Sequence, residues 1–456
     1  MITLELPRLA AAAGVVAAYA ALCLRVRTSF RKRHGTAAAA GSGTVLVAYG
    51  SQSGLGRELA EEAVRALGAA GVGARLAALG ELSAADLQTC GKALFVASTT
   101  GEGDPPDNAA AFVDRIMGGR PQLGALRYGL LALGDRSYAR YCAFGRALDG
   151  WLRDCGAAAL FERVEVDRAD PAALETWRHR LASFAGLAEP NGAVAPVMGY
   201  WRVRASRHLN PGSAGQPVHH VELEAVAGPE ADAASVALPR WEAGDLLQLV
   251  PPGADARPRD YSIASLPEDG AVHLLVRVIR GPDGEPGRMS SLLTGAGASG
   301  NVFQGRIRAH PNFRLGDNAA RPLILVGNGT GLAGLLALLR QRARRGDGRN
   351  WLVFGERNAA HDGFHADELA ALERADLLAR CDRVFSRDGS SPEYVQHRLA
   401  RAADTLREWV AGGAAIYVCG NAVGMGPAVH DTLAGILGAG RLAQLAAAGR
   451  YRRDIY

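Results

Sequence analysis

Thr44–Gly56 reads T-V-L-V-A-Y-G-S-Q-S-G-L-G, and the fold is decided there. The first seven residues have the character of a short buried strand. Ser51, Gln52, Ser53, Gly54, Leu55 and Gly56 make a hydroxyl- and glycine-rich turn, and the pattern after it predicts an amphipathic helix over Arg57–Leu67. A strand that passes through small hydroxyl residues into a helix N-terminus aims free N–H groups, hydroxyls and the helix dipole at one anion. Many α/β turns contain Gly and Ser, so this stretch alone leaves a phosphate cradle and an ordinary turn equally open.

Two later stretches repeat the pattern. Ala93–Asn108, A-L-F-V-A-S-T-T-G-E-G-D-P-P-D-N, is an apolar strand ending in a Gly/Pro/Asp loop. Leu130–Gly145, L-L-A-L-G-D-R-S-Y-A-R-Y-C-A-F-G, does the same and carries Tyr138 and Tyr141. In a parallel sheet three such loops meet at one strand edge. The first can hold a phosphate, and the other two can bracket a planar ring. At these residues the sequence resembles the flavodoxin-like FMN domain of the diflavin reductases, with the third loop especially similar to that of sulfite reductase flavoproteins. The resemblance implies FMN phosphate at Ser51–Gly56 and a flavin ring stacked on Tyr138. It also implies ring-edge contacts from Ser98, Thr99, Thr100, Gly101, Glu102, Gly103 and Asp104, and from Leu133, Gly134, Asp135 and Tyr141. Two departures stand out. The family's phosphate loop usually closes with a third hydroxyl, where this chain has Gly56. Cytochrome P450 reductases place an aromatic where Thr100 stands, so one flavin face would be less covered here. A flavodoxin-like domain without flavin is the competing reading.

Downstream, Gly199–Arg207, Val218–Val226 and Gly244–Pro251 alternate apolar and polar residues between Pro/Gly turns, which predicts antiparallel strands of a small barrel. R-D-Y-S (Arg259–Ser262) falls on a further strand, followed by one over Val272–Arg280 and a hydroxyl-rich helix start at Gly287–Leu293. P-L-I-L-V-G-N-G-T-G-L-A-G (Pro322–Gly334) is a strand, a Gly/Thr turn and a helix, the arrangement that approaches a pyrophosphate. Strand ends at Trp351–Asn358, Arg383–Asp388 and Ile416–Asn421 follow in series, and the chain closes with G-R-Y-R-R-D-I-Y. This order resembles the ferredoxin–NADP reductase module of the diflavin reductases. The resemblance implies that Arg259, Tyr261 and Ser262 hold FAD, with Gly287, Ser290 and Ser291 at its pyrophosphate and Ser262 near the reactive flavin nitrogen. It implies NADPH on Gly327, Gly329, Thr330 and Gly331, with Cys419 near the nicotinamide. Ser386 and Arg387 would grip the 2′-phosphate, as a dianion asks of a hydroxyl and a guanidinium, and Tyr394 and Gln396 would support the adenosine end. Asp454 and Tyr456 match the family's terminal motif, whose aromatic covers the FAD ring until nicotinamide displaces it. From sequence alone Cys419 reads equally as a buried small hydrophobe, Tyr456 as a frayed end and Arg387 as a surface arginine. Many relatives carry a lysine where Pro392 stands, which removes one cation from the 2′-phosphate site. The family's longer members insert a helical connecting domain into the barrel, for which Trp201–Arg259 leaves no room. The linker Leu187–Val197 would then let the two flavin domains dock transiently.

The 456 residues suit about three domains. They are assigned as a membrane anchor and linker (1–43), a flavodoxin-like FMN domain (44–188), an FAD-binding β-barrel (197–317) and an NADP(H)-binding α/β domain (318–456). A composition 48% hydrophobic and 21% charged excludes intrinsic disorder, and apolar runs are too few for a polytopic membrane protein. Six scattered cysteines without C-x-x-C spacing suggest reduced thiols and no metal site. Leu9–Leu24 is an uncharged apolar run followed by Arg25, Arg27, Arg31, Lys32 and Arg33, which predicts a single-pass inner-membrane anchor with the rest cytoplasmic. A soluble Ala-rich helix is the alternative. The formal net charge of +5 falls entirely within residues 1–43, and the remainder is balanced. It therefore describes no nucleic-acid surface. The expected function is NADPH-dependent electron transfer through FAD and FMN to an electron-accepting protein or a small iron or haem acceptor. A flavin-binding redox sensor without fast turnover is the alternative.

Overall fold

The strands of the first half are apolar through their middles, as strands covered on both faces must be. In the computed structural model, which describes residues 44–52, 54–101, 103–136, 138–187, 197–228, 236–253, 257–281, 284–389 and 391–456, they form one parallel sheet. It comprises β1 (Val45–Gly50), β2 (Ala74–Ala78), β3 (Lys92–Ser98), β4 (Arg127–Gly134), β5 (Ala158–Ala159) and β6 (Val164–Asp167). The order is β2-β1-β3-β4-β5, and β6 pairs with β4 beyond β5. This is the flavodoxin-like order the sequence suggested. Helices α1 (Leu55–Ala69) and α5 (Pro171–Ala185) pack Leu59, Ala63, Trp177 and Leu181 on one face. Helices α2 (Ala84–Thr89), α3 (Asp107–Phe112) and α4 (Ala143–Asp154) pack Leu87, Phe112 and Leu148 on the other. Local chemistry sets the helix ends. Asp170 caps α5 by accepting from the Ala173 N–H at 2.9 Å, Pro171 takes the first position, and Gly186 at φ 76° ends it. Helix α1 starts two residues earlier than its periodicity suggests, because left-handed Gly54 turns the chain sooner.

The middle segment alternates, so it forms antiparallel strands with one face inward. They are β7 (Gly199–His208), β8 (Val218–Val226), β9 (Leu246–Val250), β10 (Arg259–Ser262), β11 (Val272–Arg277) and β12 (Val302–Arg308), in the order β10-β9-β12-β7-β8-β11. An antiparallel bridge between Ile263 and Leu274 brings the two ends together, closing the expected small barrel. On β8, Val221, Leu223 and Ala225 point into the barrel core, which α6 (Arg288–Thr294) helps fill through Met289 and Leu293. His220 and Glu222 take the other face.

The last segment is a second parallel sheet, β15-β14-β13-β16-β17, built from β13 (Leu323–Asn328), β14 (Asn350–Glu356), β15 (Arg380–Phe385), β16 (Ala415–Gly420) and β17 (Tyr451–Ile455). Around it run α7 (Leu332–Arg344), α8 (Ala366–Arg374), α9 (Val395–Arg401), α10 (Ala403–Ala411), α11 (Met425–Leu437) and α12 (Ala439–Ala447). One apolar cluster joins this sheet to the barrel's outer face, with Ala264, Leu275 and Phe313 packed among Leu325, Leu335 and Cys419. Among the described residues no helix is long and apolar enough to cross a membrane. The anchor predicted at Leu9–Leu24, most of the Leu187–Val197 linker, Ser53 and Glu102 lie outside the described residues.

Candidate functional site

The first loop is arranged around Ser51. Its buried Oγ accepts the N–H groups of Gly54 and Gly56, each at 3.1 Å, and Gly54 adopts φ 88°. A Cβ on Gly56 would meet Ser51 Cβ and Ser98 Oγ, both at 3.0 Å. That crowding is a physical reason for glycine where the resemblance led one to expect a hydroxyl. Gln52 is committed elsewhere than the sequence suggested. Its Oε1 accepts the Asp107 N–H at 2.9 Å, and its Nε2 donates to Asp107 Oδ2 at 2.9 Å and to the Arg453 carbonyl at 2.7 Å.

The loops after β1, β3 and β4 do converge. Leu55, Ser98, Thr99, Thr100, Gly101, Leu133, Gly134, Asp135, Tyr138 and Tyr141 line one wall of a crevice of about 400 Å³. Arg259, Ser262, Asp454 and Tyr456 line the opposite wall, so residues expected at two separate flavins face one opening. Thr100 closes its own loop, its N–H and Oγ1 both donating to the Asp104 carbonyl. The Tyr141 hydroxyl is buried without a protein partner, while Arg136 and Arg146 lie over its ring. Burial pushes that phenol up to about 12, so it stays protonated. A wall that sets Leu55, Leu133 and two tyrosine rings among hydroxyls, with the Tyr141 hydroxyl unpartnered, fits a planar ring with polar edges.

On the second wall the expected catalytic residues form one cluster. The Ser262 hydroxyl donates to Asp454 Oδ2 at 2.8 Å, and the Cys419 thiol faces the same oxygen at 3.7 Å. Burial, with the Asp454 carboxylate beside it, pushes the Cys419 thiol well above its ordinary range, so it is a neutral SH. Tyr456 continues past β17, its N–H on the Gly420 carbonyl at 3.0 Å and its hydroxyl 3.3 Å from Thr330 Oγ1. It is half exposed over this cluster. It is therefore tied in by its backbone rather than frayed.

The nucleotide turn lies where the order of the second sheet reverses, between β13 and β16. Gly329 adopts φ 58°, and a Cβ there would meet Arg277 Nη2 at 2.7 Å. Gly327 packs on the Cys419 carbonyl, where a Cβ would come to 2.7 Å. Glycine at both positions lets the turn pack on β16 and against the Arg277 guanidinium, and a glycine turn with a cation beside it fits a pyrophosphate. Arg277 and its buried partner Glu356, at 2.7 Å, flank this turn and were missed in sequence. Burial raises the Glu356 carboxyl against the pull of Arg277. Ser386 and Arg387 leave the end of β15, with Arg387 exposed, and Tyr394 caps α9 as an exposed ring beside His397, with Gln396 in its first turn. Gly287, Ser290 and Ser291 lie away from the shared crevice, at the start of α6, where both hydroxyls donate to the Gly287 carbonyl.

Polar residues clamp the two walls together. Arg453 pairs with Asp107 through Nε at 3.0 Å and through Nη2. Arg306 pairs with Glu58 at 2.5 and 3.0 Å. His310 Nε2 donates to the Gln52 carbonyl at 2.9 Å, and Asn312 Nδ2 to the Ser51 carbonyl at 2.6 Å. Asp107 is the second aspartate of the quoted loop G-D-P-P-D-N and Arg453 precedes Asp454, but nothing in either stretch names the other as partner.

A flavodoxin family model matches residues 47–179, and an oxidoreductase NAD-binding domain model matches residues 325–431. The chain is similar to the sulfite reductase (NADPH) flavoprotein alpha-component of Vibrio cholerae serotype O1, 28% identical over 547 residues, 92% of this chain and 89% of the relative. It is also similar to the protein of the same name in Bacillus subtilis (strain 168), 27% over 544 residues, 90% and 89%. The counterpart in Neisseria meningitidis serogroup C / serotype 2a is 26% identical over 541 residues, 91% and 89%. Each alignment is well over a hundred positions longer than the part of this chain it covers, so the relatives carry that many residues without a counterpart here. These matches support the diflavin reductase family, with a flavodoxin-like domain followed by a nucleotide-binding reductase module.

Proposed function

We propose that the chain passes electrons from NADPH through FAD and FMN to a one-electron acceptor, a haemoprotein or an iron or haem compound, while tethered by residues 1–43 to the cytoplasmic face of the inner membrane. The chain is an NADPH oxidoreductase, and FMN, FAD and NADPH are its cofactors. The observation that carries the route is the shared crevice. The loops carrying Thr99 and Tyr138 face Ser262, Asp454 and Tyr456 across one opening, so an electron need not leave the molecule to pass between domains.

When bound, the nicotinamide supplies a hydride, and the flavins split the electron pair into single electrons. The protein orients, shields and balances charge around that chemistry. Tyr456 covers the Ser262–Cys419–Asp454 cluster and has to move aside for a nicotinamide to reach near-attack distance. Its hydroxyl contact with Thr330 is long, so little opposes the movement. The Asp454 carboxylate stays fixed by Ser262 and favours positive charge developing beside it. The neutral Cys419 thiol fills the space without competing as a nucleophile. Arg277 and Arg387 supply cations toward the pyrophosphate and 2′-phosphate ends.

The flavin-loaded full chain should hold FMN and FAD in equal amounts and reduce cytochrome c or ferricyanide with NADPH. Flavin binding without turnover would favour the redox-sensor reading. Removal of residues 1–43 should release the protein from the membrane fraction with NADPH-driven turnover intact. The relatives are alpha-components of sulfite reductase, which favours a partner protein as acceptor, whereas a tether favours an acceptor at the membrane. Pulldown from detergent-solubilised membranes separates the two.

A further inference from the structure

Outside the crevice, three histidines meet where the barrel packs on the nucleotide domain. His220 and Glu222 project from the outer face of β8, and His273 stands directly opposite Glu222 on β11. His365, at φ 51°, precedes α8 and belongs to the other domain. The His220 ring lies 4.9 Å from that of His273 and 5.5 Å from that of His365. His220 is only 8% exposed.

Each ring leaves one buried nitrogen without a partner: His220 Nε2, His273 Nδ1 and His365 Nε2. One orphaned buried imidazole nitrogen is an oddity; three from three elements in mutual contact are a donor set. His365 adds the feature that marks a metal-binding imidazole. Its Nδ1 faces Glu368 Oε2 at 3.1 Å, an arrangement that fixes the ring and leaves Nε2 as the lone-pair donor. Glu368 is in turn held by Arg340 through two bonds, at 2.6 and 2.8 Å.

We propose that His220, His273 and Glu222, with His365 completing the set, bind one divalent transition-metal ion of the zinc class, pinning the barrel to the nucleotide domain. Donor atoms of His220, Glu222 and His273 already lie within 4.8 Å of one another. Four-coordinate zinc holds nitrogen ligands at about 2.0–2.1 Å, so side-chain rotations bring these three donors onto one ion, and His365, which stands outside that group, closes the site by a larger movement. Imidazole with one carboxylate suits zinc, cobalt or nickel and not magnesium or calcium, which take oxygen. The other charges facing the cluster are Arg207, Arg340 and Asp269, besides Glu222 and Glu368. No C-x-x-C spacing announces the site, and the H-x-x-x-H at His361–His365 supplies just one of its ligands, because the set is drawn from two strands and a turn.

The test uses the full flavin-loaded protein, stripped with a chelator and titrated with Zn2+ or Co2+. One equivalent should bind, and Co2+ should develop the absorption of a four-coordinate ion. His220→Gln and His365→Gln should each weaken binding by at least ~10-fold to 100-fold, and Glu368→Gln by less, with flavin content unchanged. Wild-type protein that takes up no metal, or Co2+ that keeps its six-coordinate spectrum, overturns the proposal. So does binding that survives both histidine substitutions in protein with full flavin.

Discussion

At Asp454 one carboxylate oxygen faces both Ser262 and Cys419. Asp454→Asn keeps the shape and a hydrogen bond but removes the charge. Single-turnover flavin reduction by NADPH should slow on the order of 10²-fold, with nucleotide affinity changed little, because only interactions made in the transition state alter the rate alone. Stopped-flow absorbance at saturating NADPH reads this directly, and an unchanged rate would leave Asp454 a structural residue. Tyr456 acts differently. Its ring has to be displaced by any nicotinamide, so part of the nucleotide's binding energy goes into moving it. Removing the ring helps the weaker-binding nucleotide more. Tyr456→Ala should therefore shift the NADPH:NADH ratio of kcat/KM toward NADH by about tenfold, near 1.4 kcal/mol. A ratio identical to wild type would remove the gating role.

Among the elements, β15 rests on one buried carboxylate. Asp382 accepts from Trp351 Nε1 at 2.8 Å, Arg380 Nε at 2.6 Å and Arg398 Nη1 at 3.1 Å, tying β15 to β14 and α9. Burial works to raise this carboxyl, but the three donors hold it below the usual value. A carboxyl depressed in the folded state stabilises fully above its unfolded pKa, near 3.9, and loses that contribution as pH falls through the folded value. Asp382→Asn should cost about 1.5–3 kcal/mol at neutral pH, and the gap from wild type should shrink below about pH 4. Urea unfolding at both pH values measures it. Elements like β1, β3 and β13 were legible because doubly covered strands are apolar runs closed by Gly loops. The end of β11 was not: the alternation runs to Arg280, but the chain leaves the ladder after Arg277 and returns only as a bridge to Pro286. β17 was read as a terminal motif rather than as a strand. Its central residues, Arg452, Arg453 and Asp454, spend their charges on the Pro311 and Arg314 carbonyls, Asp107 and Ser262 respectively, which hides the period of two.

Across the whole molecule, the two walls of the crevice are joined differently from everything else. Each apolar cluster stays within residues 45–185 or within residues 201–455, and among the described residues none crosses between them. The joint is made instead by Arg453–Asp107, Arg306–Glu58, Gln52, His310 and Asn312. Such a joint was illegible in sequence, since Gln52 and Arg453 lie 401 positions apart. Its physics suits docking that makes and breaks. Separation exposes charges to water, which favours them, and breaks no buried apolar cluster, the helix contact across the joint being that of the alanine-rich α12 with α3. Arg453 is the keystone, because it pairs with Asp107 while its carbonyl receives Gln52 and its neighbour Asp454 serves the second wall. Arg453→Ala leaves the half-buried Asp107 carboxylate without its cation and with Gln52 Nε2 as its remaining side-chain donor, a loss of about 1.5–3 kcal/mol unless the joint opens. The variant should therefore show a larger radius of gyration by small-angle scattering than wild type. In single turnover with NADPH, the first flavin should be reduced at close to the wild-type rate and the second more slowly, since only the second step needs the closed crevice. Arg453→Lys should restore part of the docking through its charge but not the two-pronged contact. Scattering and second-flavin reduction both indistinguishable from wild type in Arg453→Ala would show that the clamp does not govern passage between the domains.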